Sequence, residues 1–259
     1  MTKKFSTITE LPNTEVTETQ LSRAHQRYMF AKKYCNSGTV VELGCGGGQG
    51  LELLSERMDK VSGCDIDDSN LELCKSTYKN HPKIEIIKMD AEKLGFGEES
   101  VNVIVLFETI YYLEDVRKFF QKAYRILSRG GHLIICTANK DWAGFNPSPF
   151  STQYFSVPEL YQLATLNGFT INLYASFPDV QKSLFLKFAS LIKWAVVKLH
   201  LMPKTMKGKV LLKKLFIGKM VTYPEKLADD LFDYTPPIQI PHDKIDKIHT
   251  AIFAVCKKL

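Results

Sequence analysis

The residues best placed to do chemistry lie where the first β-type run bends. In VVELGCGGGQG (residues 40–50), Glu42 is followed by Gly44, Gly46, Gly47, Gly48 and Gly50, interrupted only by Cys45 and Gln49. A structural turn needs one or two glycines. A cluster of this density leaves bare backbone for close approach of a ligand at a helix start. Two nucleotide-type ligands compete for such a bend. The dinucleotide fingerprint G-x-G-x-x-G fails, because Gln49 stands where Gly44 and Gly46 would require the third glycine. The form E-x-G-x-G-x-G fits instead, over Glu42, Gly44, Gly46 and Gly48.

The elements that must position this bend alternate regularly. TVVELG, KVSGCDI, KIEIIKM, VNVIVLFE and GHLIICTAN read as strands, and GLELLSERM, SNLELCKSTYKN and DVRKFFQKAYRIL as the helices between them. Residues 17–35 form an amphipathic helix ahead of the first strand. Ser69 with Glu72, and Ser156 with Glu159, have capping-box spacing. Two more strands, TINLYASF and IHTAIFAVCKK, close the pattern. The expected fold is α/β, a doubly wound, mainly parallel seven-stranded sheet with a helical insertion before the last strand. Roughly seventy residues separate the last two strands, too many for a loop. The expected division is therefore 1–177 with 247–259 as one domain and 178–246 as a basic, mainly helical insertion.

With these residues in place, the sequence resembles the class I S-adenosylmethionine-dependent methyltransferases. The likeness covers roughly residues 20–176 and the final strand. It implies that Gly44, Cys45, Gly46 and Gly48 admit the methionine part of S-adenosylmethionine and that Glu42 orients its amino-acid end. Asp65, ending the second strand, is implied at the ribose, where a carboxylate can accept both hydroxyls, and Ile66 beside it is implied as a further cofactor contact. Asp90 and Ala91, after the third strand, are implied at the adenine, and Phe107 at the floor of the pocket. Tyr28 either closes over the methionine end or packs a helix face. Arg27 either binds a carboxylate or is solvated. S-adenosylhomocysteine is the implied product.

Methyl transfer from a sulfonium needs an in-line nucleophile, and a base only for a poorly acidic hydroxyl. The amino-methylating (D/N)-P-P-(Y/F) motif is absent after the fourth strand, and no metal-ligand cluster stands out. Contact with the acceptor falls to Glu108, Tyr111, Tyr112, Asn139 and His242, with Glu108 and Tyr112 as candidate bases. His132 reads as structural. The loop from Asn139 to Leu160 is rich in aromatic, Ser, Thr and Asn side chains. It resembles loops of methyltransferases acting on glycans or glycosylated lipids. The expected reaction is O-methylation of a small or lipid-linked, glycan-like acceptor. Methylation of a quinone- or polyketide-like molecule and a non-catalytic cofactor-binding module are the alternatives.

The net charge of +6 is local: residues 181–220 hold ten lysines and no Asp or Glu, so the remainder nets −4. Over residues 181–202 Lys182, Lys187, Lys193 and Lys198 share a helical arc of about 160°. Such a segment suits a lid, a homodimer contact or a peripheral membrane surface, and its greasy character disfavours nucleic acid. Six scattered cysteines without a CxxC, and opening residues that lead into no apolar run, set the expected location as cytoplasmic, with peripheral contact at a membrane surface as the variant.

Overall fold

The computed structural model describes residues 5–179 and 219–259. After a 3-10 turn at Phe5–Thr7 come β1 (Glu15–Thr17), α1 (Glu18–Lys32), β2 (Thr39–Leu43), α2 (Leu51–Ser55), β3 (Lys60–Asp65), α3 (Asp68–Tyr78), β4 (Ile84–Lys88) and β5 (Val101–Phe107). A second 3-10 turn, Ile110–Tyr112, leads to α4 (Val116–Ile126), β6 (Leu127–Ala138), α5 (Val157–Leu166), β7 (Phe169–Pro178), β8 (Met220–Thr222), β9 (Ile238–Gln239) and β10 (His249–Lys258). The main sheet runs β4-β3-β2-β5-β6-β10-β7-β9. Strands β2 to β6 pair in parallel, while β10 lies antiparallel between β6 and β7. Seven strands are those expected. The eighth, β9, is two residues long and joins the edge of β7 from within the 178–246 region.

Alternation along the strands sorts the core into two layers. Val40, Val103, Val105, Phe107, Ile134, Cys136, Phe253 and Val255 face the side covered by α1, α2 and α3. Val41, Leu43, Ile104, Leu106, Leu133, Ile135, Ile252 and Ala254 face α4 and α5. Helix α4 shows why its segment folds as it does. Asp115 accepts the amide of Lys118 at its start, and Val116, Phe119, Phe120, Ala123 and Ile126 form one buried stripe. Each buried phenylalanine contributes about 1.5–3 kcal/mol.

The capping boxes divide. Ser156 and Glu159 form theirs at α5. Ser69 does not start α3; Asp67 does, accepting the Ser69 amide at 3.0 Å. An aspartate two residues earlier outcompetes the serine because the chain leaves β3 still extended at Asp67.

Of the region 178–246, residues 178–179 and 219–246 are described; Pro178 ends β7, and 219–246 contain strands and loops but no helix. The helix expected over 181–202 and most of the lysine-rich segment 181–220 lie outside the described residues. The described part is strapped to the domain. Strand β8 pairs with β1, the Leu227 amide donates to the Gln49 carbonyl, and Lys32 bridges Glu56 and Asp229. Among the described residues no helix is long and apolar enough to cross a membrane.

Candidate active site

A cleft of about 1350 Å³ opens at the C-terminal ends of the parallel strands, where the order reverses between β2 and β5. Open α/β sheets place ligands at this switch point. Glu42, Gly44, Cys45, Gly46, Asp65, Ile66, Asp90, Ala91, Phe107, Glu108 and Tyr112 all line it, together with Tyr28 from α1. Residues spread over eighty-five positions of chain therefore meet in one groove.

The bend after β2 depends on a missing Cβ. Gly44 has φ +73°, and a Cβ there would lie 2.3 Å from Oγ1 of Thr109, just beyond β5. Gly48 departs from expectation. It does not line the cleft but backs the loop onto α3, where a Cβ would strike Sγ of Cys74 at 2.3 Å and the Tyr78 hydroxyl donates to the Gly48 carbonyl. Packing of the loop against this helix is by itself enough to require a glycine there.

Glu42 is 1% exposed. Its Oε1 accepts the Tyr28 hydroxyl at 2.6 Å, whereas Oε2 is buried with no partner. Burial pushes the carboxyl up to about 8; the Tyr28 hydrogen bond opposes this and nearby Asp65 adds to it. Tyr28 shows the packing role that the sequence allowed, and a contact that it did not. It packs edge-on to Phe107 at 5.3 Å, and it holds the acid at the bend.

Asp65 accepts the amides of Gly46 at 2.9 Å and Asp67 at 2.8 Å. Burial raises its pKa and these amides oppose the rise. Ile66 is 48% exposed, an apolar face presented to the groove. Asp90 accepts the Glu92 amide at 2.9 Å and pairs with Lys93 at 3.3 Å.

At the other end, Glu108 adopts φ +49°, a left-handed conformation costly for a residue with a Cβ. Both its oxygens are engaged: Arg27 lies 3.3 Å from Oε1 and the Tyr111 hydroxyl donates to Oε2 at 3.0 Å. Burial works against the Arg27 charge, but Glu108, together with Cys136, Glu10 and Tyr223, outweighs it and raises the pKa of the guanidinium. The Tyr112 hydroxyl lies 2.6 Å from Oγ of Ser148, which brings the predicted loop 139–160 over the cleft.

Two candidates do not reach the cleft. Asn139 is fully buried and donates to the carbonyls of Asp246 and His249, tying loop to β10. His242 stacks on Tyr161 at 4.0 Å on the outer surface. His132 packs against Tyr34 and is structural, as expected. Sequence reasoning missed Arg23, Gln49, Tyr223 and the stretch from Phe5 to Glu10. The Ser6 amide donates to Asp67, the Gln49 side chain donates to the Glu10 carbonyl, and Phe5 meets Tyr112 edge-on at 5.2 Å. None of these residues belongs to a spaced motif. Tyr223 arrives from the region read as an insertion.

Residues 41–135 match the family model described as "Methyltransferase domain". A Mycolicibacterium smegmatis protein named "Probable S-adenosylmethionine-dependent methyltransferase" is 29% identical over 143 residues, 53% of this chain and 54% of the relative. A Mycobacterium tuberculosis phthiotriol/phenolphthiotriol dimycocerosates methyltransferase is 30% identical over 95 residues, 36% of this chain and 35% of the relative. The chain thus spans about half or less of these relatives' lengths. The YcgJ protein of Bacillus subtilis has the same fold, with a TM-score of 0.56 at 18% identity, covering 91% of this chain and 98% of that one.

Proposed function

We propose that this chain, a class I S-adenosylmethionine-dependent methyltransferase in fold and family, methylates an oxygen of a small or lipid-linked acceptor. The observation that carries the reading is the unpartnered Oε2 of Glu42, buried at the lip of the glycine bend. A buried acceptor without a donor costs about 1–3 kcal/mol, and the ammonium of the cofactor's amino-acid end would satisfy it. In this reading Gly44, Cys45 and Gly46 hold the methionine part, Asp65 the ribose, Ile66 and Ala91 the faces of the adenine, and Asp90 its amino edge. Bound there, S-adenosylmethionine supplies an activated methyl on a sulfonium.

The acceptor then lies between Phe107–Tyr112 and the loop carrying Ser148. Arg27 and Tyr111 occupy both oxygens of Glu108, which suits it to hold the acceptor in line and not to take its proton. Tyr112, paired with Ser148 and kept a neutral phenol because burial raises its pKa, can hydrogen-bond the acceptor oxygen but is not a base, so the hydroxyl proton leaves to solvent in this assignment. Orientation supplies most of the rate in this assignment. Aromatic side chains at the acceptor end, among them Trp142, Phe145 and Phe177, also suit a hydrophobic acceptor. The relative named for phthiotriol and phenolphthiotriol dimycocerosates favours that second reading. A non-catalytic module would have no need of an acceptor compartment beyond the cofactor end. We further assign 178–246 as an insertion on a domain formed by 1–177 and 247–259, with the lysines of 181–220 as its contact to a membrane surface.

The test is incubation of purified protein with methyl-labelled S-adenosylmethionine and a lysate of its own source, followed by organic–aqueous partition. Label in the organic phase supports the lipid-linked or hydrophobic acceptor, and label in water-soluble molecules supports the small one. No transfer to any fraction, with cofactor bound, overturns the enzymatic reading.

A further inference from the structure

The acceptor end of the cleft holds more positive hydrogen-bonding capacity than the protein uses. Arg23 and Arg27 stand one turn apart on α1, so both guanidinium groups leave the same helix face and both line the cleft. Burial lowers the Arg23 pKa and Arg27 lowers it further, against the pull of Glu108 and Asp179. Among the described residues no carboxylate comes within 4.0 Å of Arg23; its guanidinium lies 5.3 Å above the Phe177 ring. Arg27 spends one nitrogen on Glu108, while its Nε is buried with no partner.

A third unmet group sits beside them. Thr250 lines the cleft with Oγ1 buried and unpartnered. The register of β10 on β7 pairs His249 with Pro178 and Ala251 with Ser176, which sets Thr250 across from Phe177. Phe177 itself has φ +58°, a true outlier for a bulky residue. Such strain persists only where surrounding structure holds it, and it gathers at ligand clamps. Here it holds the ring that carries Arg23. The negative groups nearby are committed: Glu108 to Arg27 and Tyr111, Asp179 to the Trp142 indole at 2.9 Å, and Glu10 to Gln20 at 2.6 Å.

We infer that Arg23, Arg27 and Thr250 form an anion subsite at the acceptor end, so that the acceptor carries a carboxylate or phosphate beside its apolar body. This rests on the reading of the cleft as a methyl-transfer site and names its substrate class. Arg23 is the specificity determinant, since its guanidinium has ring contact but no charge partner. A carboxylate could also come from the cofactor's own amino-acid end. The position of Arg23 over Phe177, on the strand pair β7–β10, places the subsite with the acceptor instead.

The probe pair is naphthalene-2-carboxylate and naphthalene-2-carboxamide, flat molecules of one shape that differ in charge. Their affinities are measured by fluorescence titration with S-adenosylhomocysteine present, for wild type, Arg23→Gln, Arg23→Lys and Thr250→Val. The wild type is expected to prefer the carboxylate at least tenfold. Arg23→Gln should bring the ratio to about one, Arg23→Lys should restore part of it, and Thr250→Val should lower it severalfold. Calorimetric affinity for S-adenosylhomocysteine should not change in any variant. Equal binding of both probes by wild type overturns the subsite, as does an unchanged ratio in Arg23→Gln. A fall in S-adenosylhomocysteine affinity in Arg23→Gln assigns the arginine to the cofactor and also overturns it. If wild type binds no S-adenosylhomocysteine, the methyl-transfer reading falls, while the probe ratio measured on the free protein still decides the anion preference.

Discussion

Binding of S-adenosylhomocysteine should release close to one proton at pH 7, and that proton should come from Glu42. Burial holds this carboxyl at about 8, so at pH 7 roughly nine molecules in ten carry the proton. An ammonium placed against the unpartnered Oε2 favours the charged form, and a fall of about two pH units would leave only about one in ten protonated. The net release is then about 0.8 proton per ligand. Calorimetric titration in buffers of differing ionisation enthalpy reads this number directly. Glu42→Gln has no proton to lose and should show almost no buffer dependence, with affinity reduced about tenfold or more. The same residue sets a stability slope in the cofactor-free protein. Its folded pKa lies above the unfolded value of 4.5, so its favourable contribution is complete below about 4.5. That contribution is lost as pH rises through about 8, at about 1.4 kcal/mol per pH unit. Denaturant unfolding from pH 5 to 8 should show this decline in wild type and a flatter profile in Glu42→Gln. A buffer-independent binding enthalpy in wild type, or an equal buffer dependence in Glu42→Gln, would refute the placement of the cofactor's amino group at Glu42.

Asp65→Ala removes an acceptor that also anchors the Gly46 and Asp67 amides; S-adenosylhomocysteine affinity should fall about 10–100-fold by calorimetry, and an unchanged value would remove Asp65 from the site. Gly44→Ala combines a left-handed backbone with a Cβ 2.3 Å from Thr109, so it should destabilise by about 2 kcal/mol or more in denaturant unfolding. Adding Thr109→Gly should recover part of that loss and leave the backbone cost; no recovery would mean the collision is not what excludes a side chain. Replacing Lys187, Lys193 and Lys198 with Glu should abolish co-sedimentation with anionic liposomes while the thermal unfolding midpoint is retained. A wild type that never sediments with them ends the membrane assignment.

The residues proposed for the cofactor end could be read from the sequence because their demands are local. A bend after β2 that lets Thr109 approach needs Gly44, and a carboxylate at the end of β3 needs only Asp65 at the right step of the alternation. Gly48 shows the limit of such reading. It satisfies the same spacing for a different reason, making room for Cys74 and Tyr78 of α3. Asn139 failed because a polar residue in a loop over the cleft reads alike whether it faces a ligand or ties the loop to β10, and His242 because nothing local in the sequence shows that it stacks on Tyr161 at the outer surface.

The end proposed for the acceptor was legible only in part: Glu108, Tyr111 and Tyr112 line the cleft and Ser148 of loop 139–160 reaches over it, but nothing local marks its other walls. Its walls come from the stretch Phe5–Glu10, one face of α1, the turn after β5, the junction of β7 with β10, and Tyr223 from beyond the lysine-rich segment. No spacing rule links positions so far apart. Backbone geometry does mark it: Glu108 and Phe177 both occupy left-handed conformations that sequence propensity argues against, and both border the acceptor compartment. The task of holding a cofactor can be written as a motif, whereas an acceptor site is assembled by packing and strain. The orphaned groups Arg27 Nε and Thr250 Oγ1 fall in this same compartment. The chemistry that distinguishes this protein from others of its fold is therefore to be sought around Arg23, Phe177 and Thr250, not at the glycine bend.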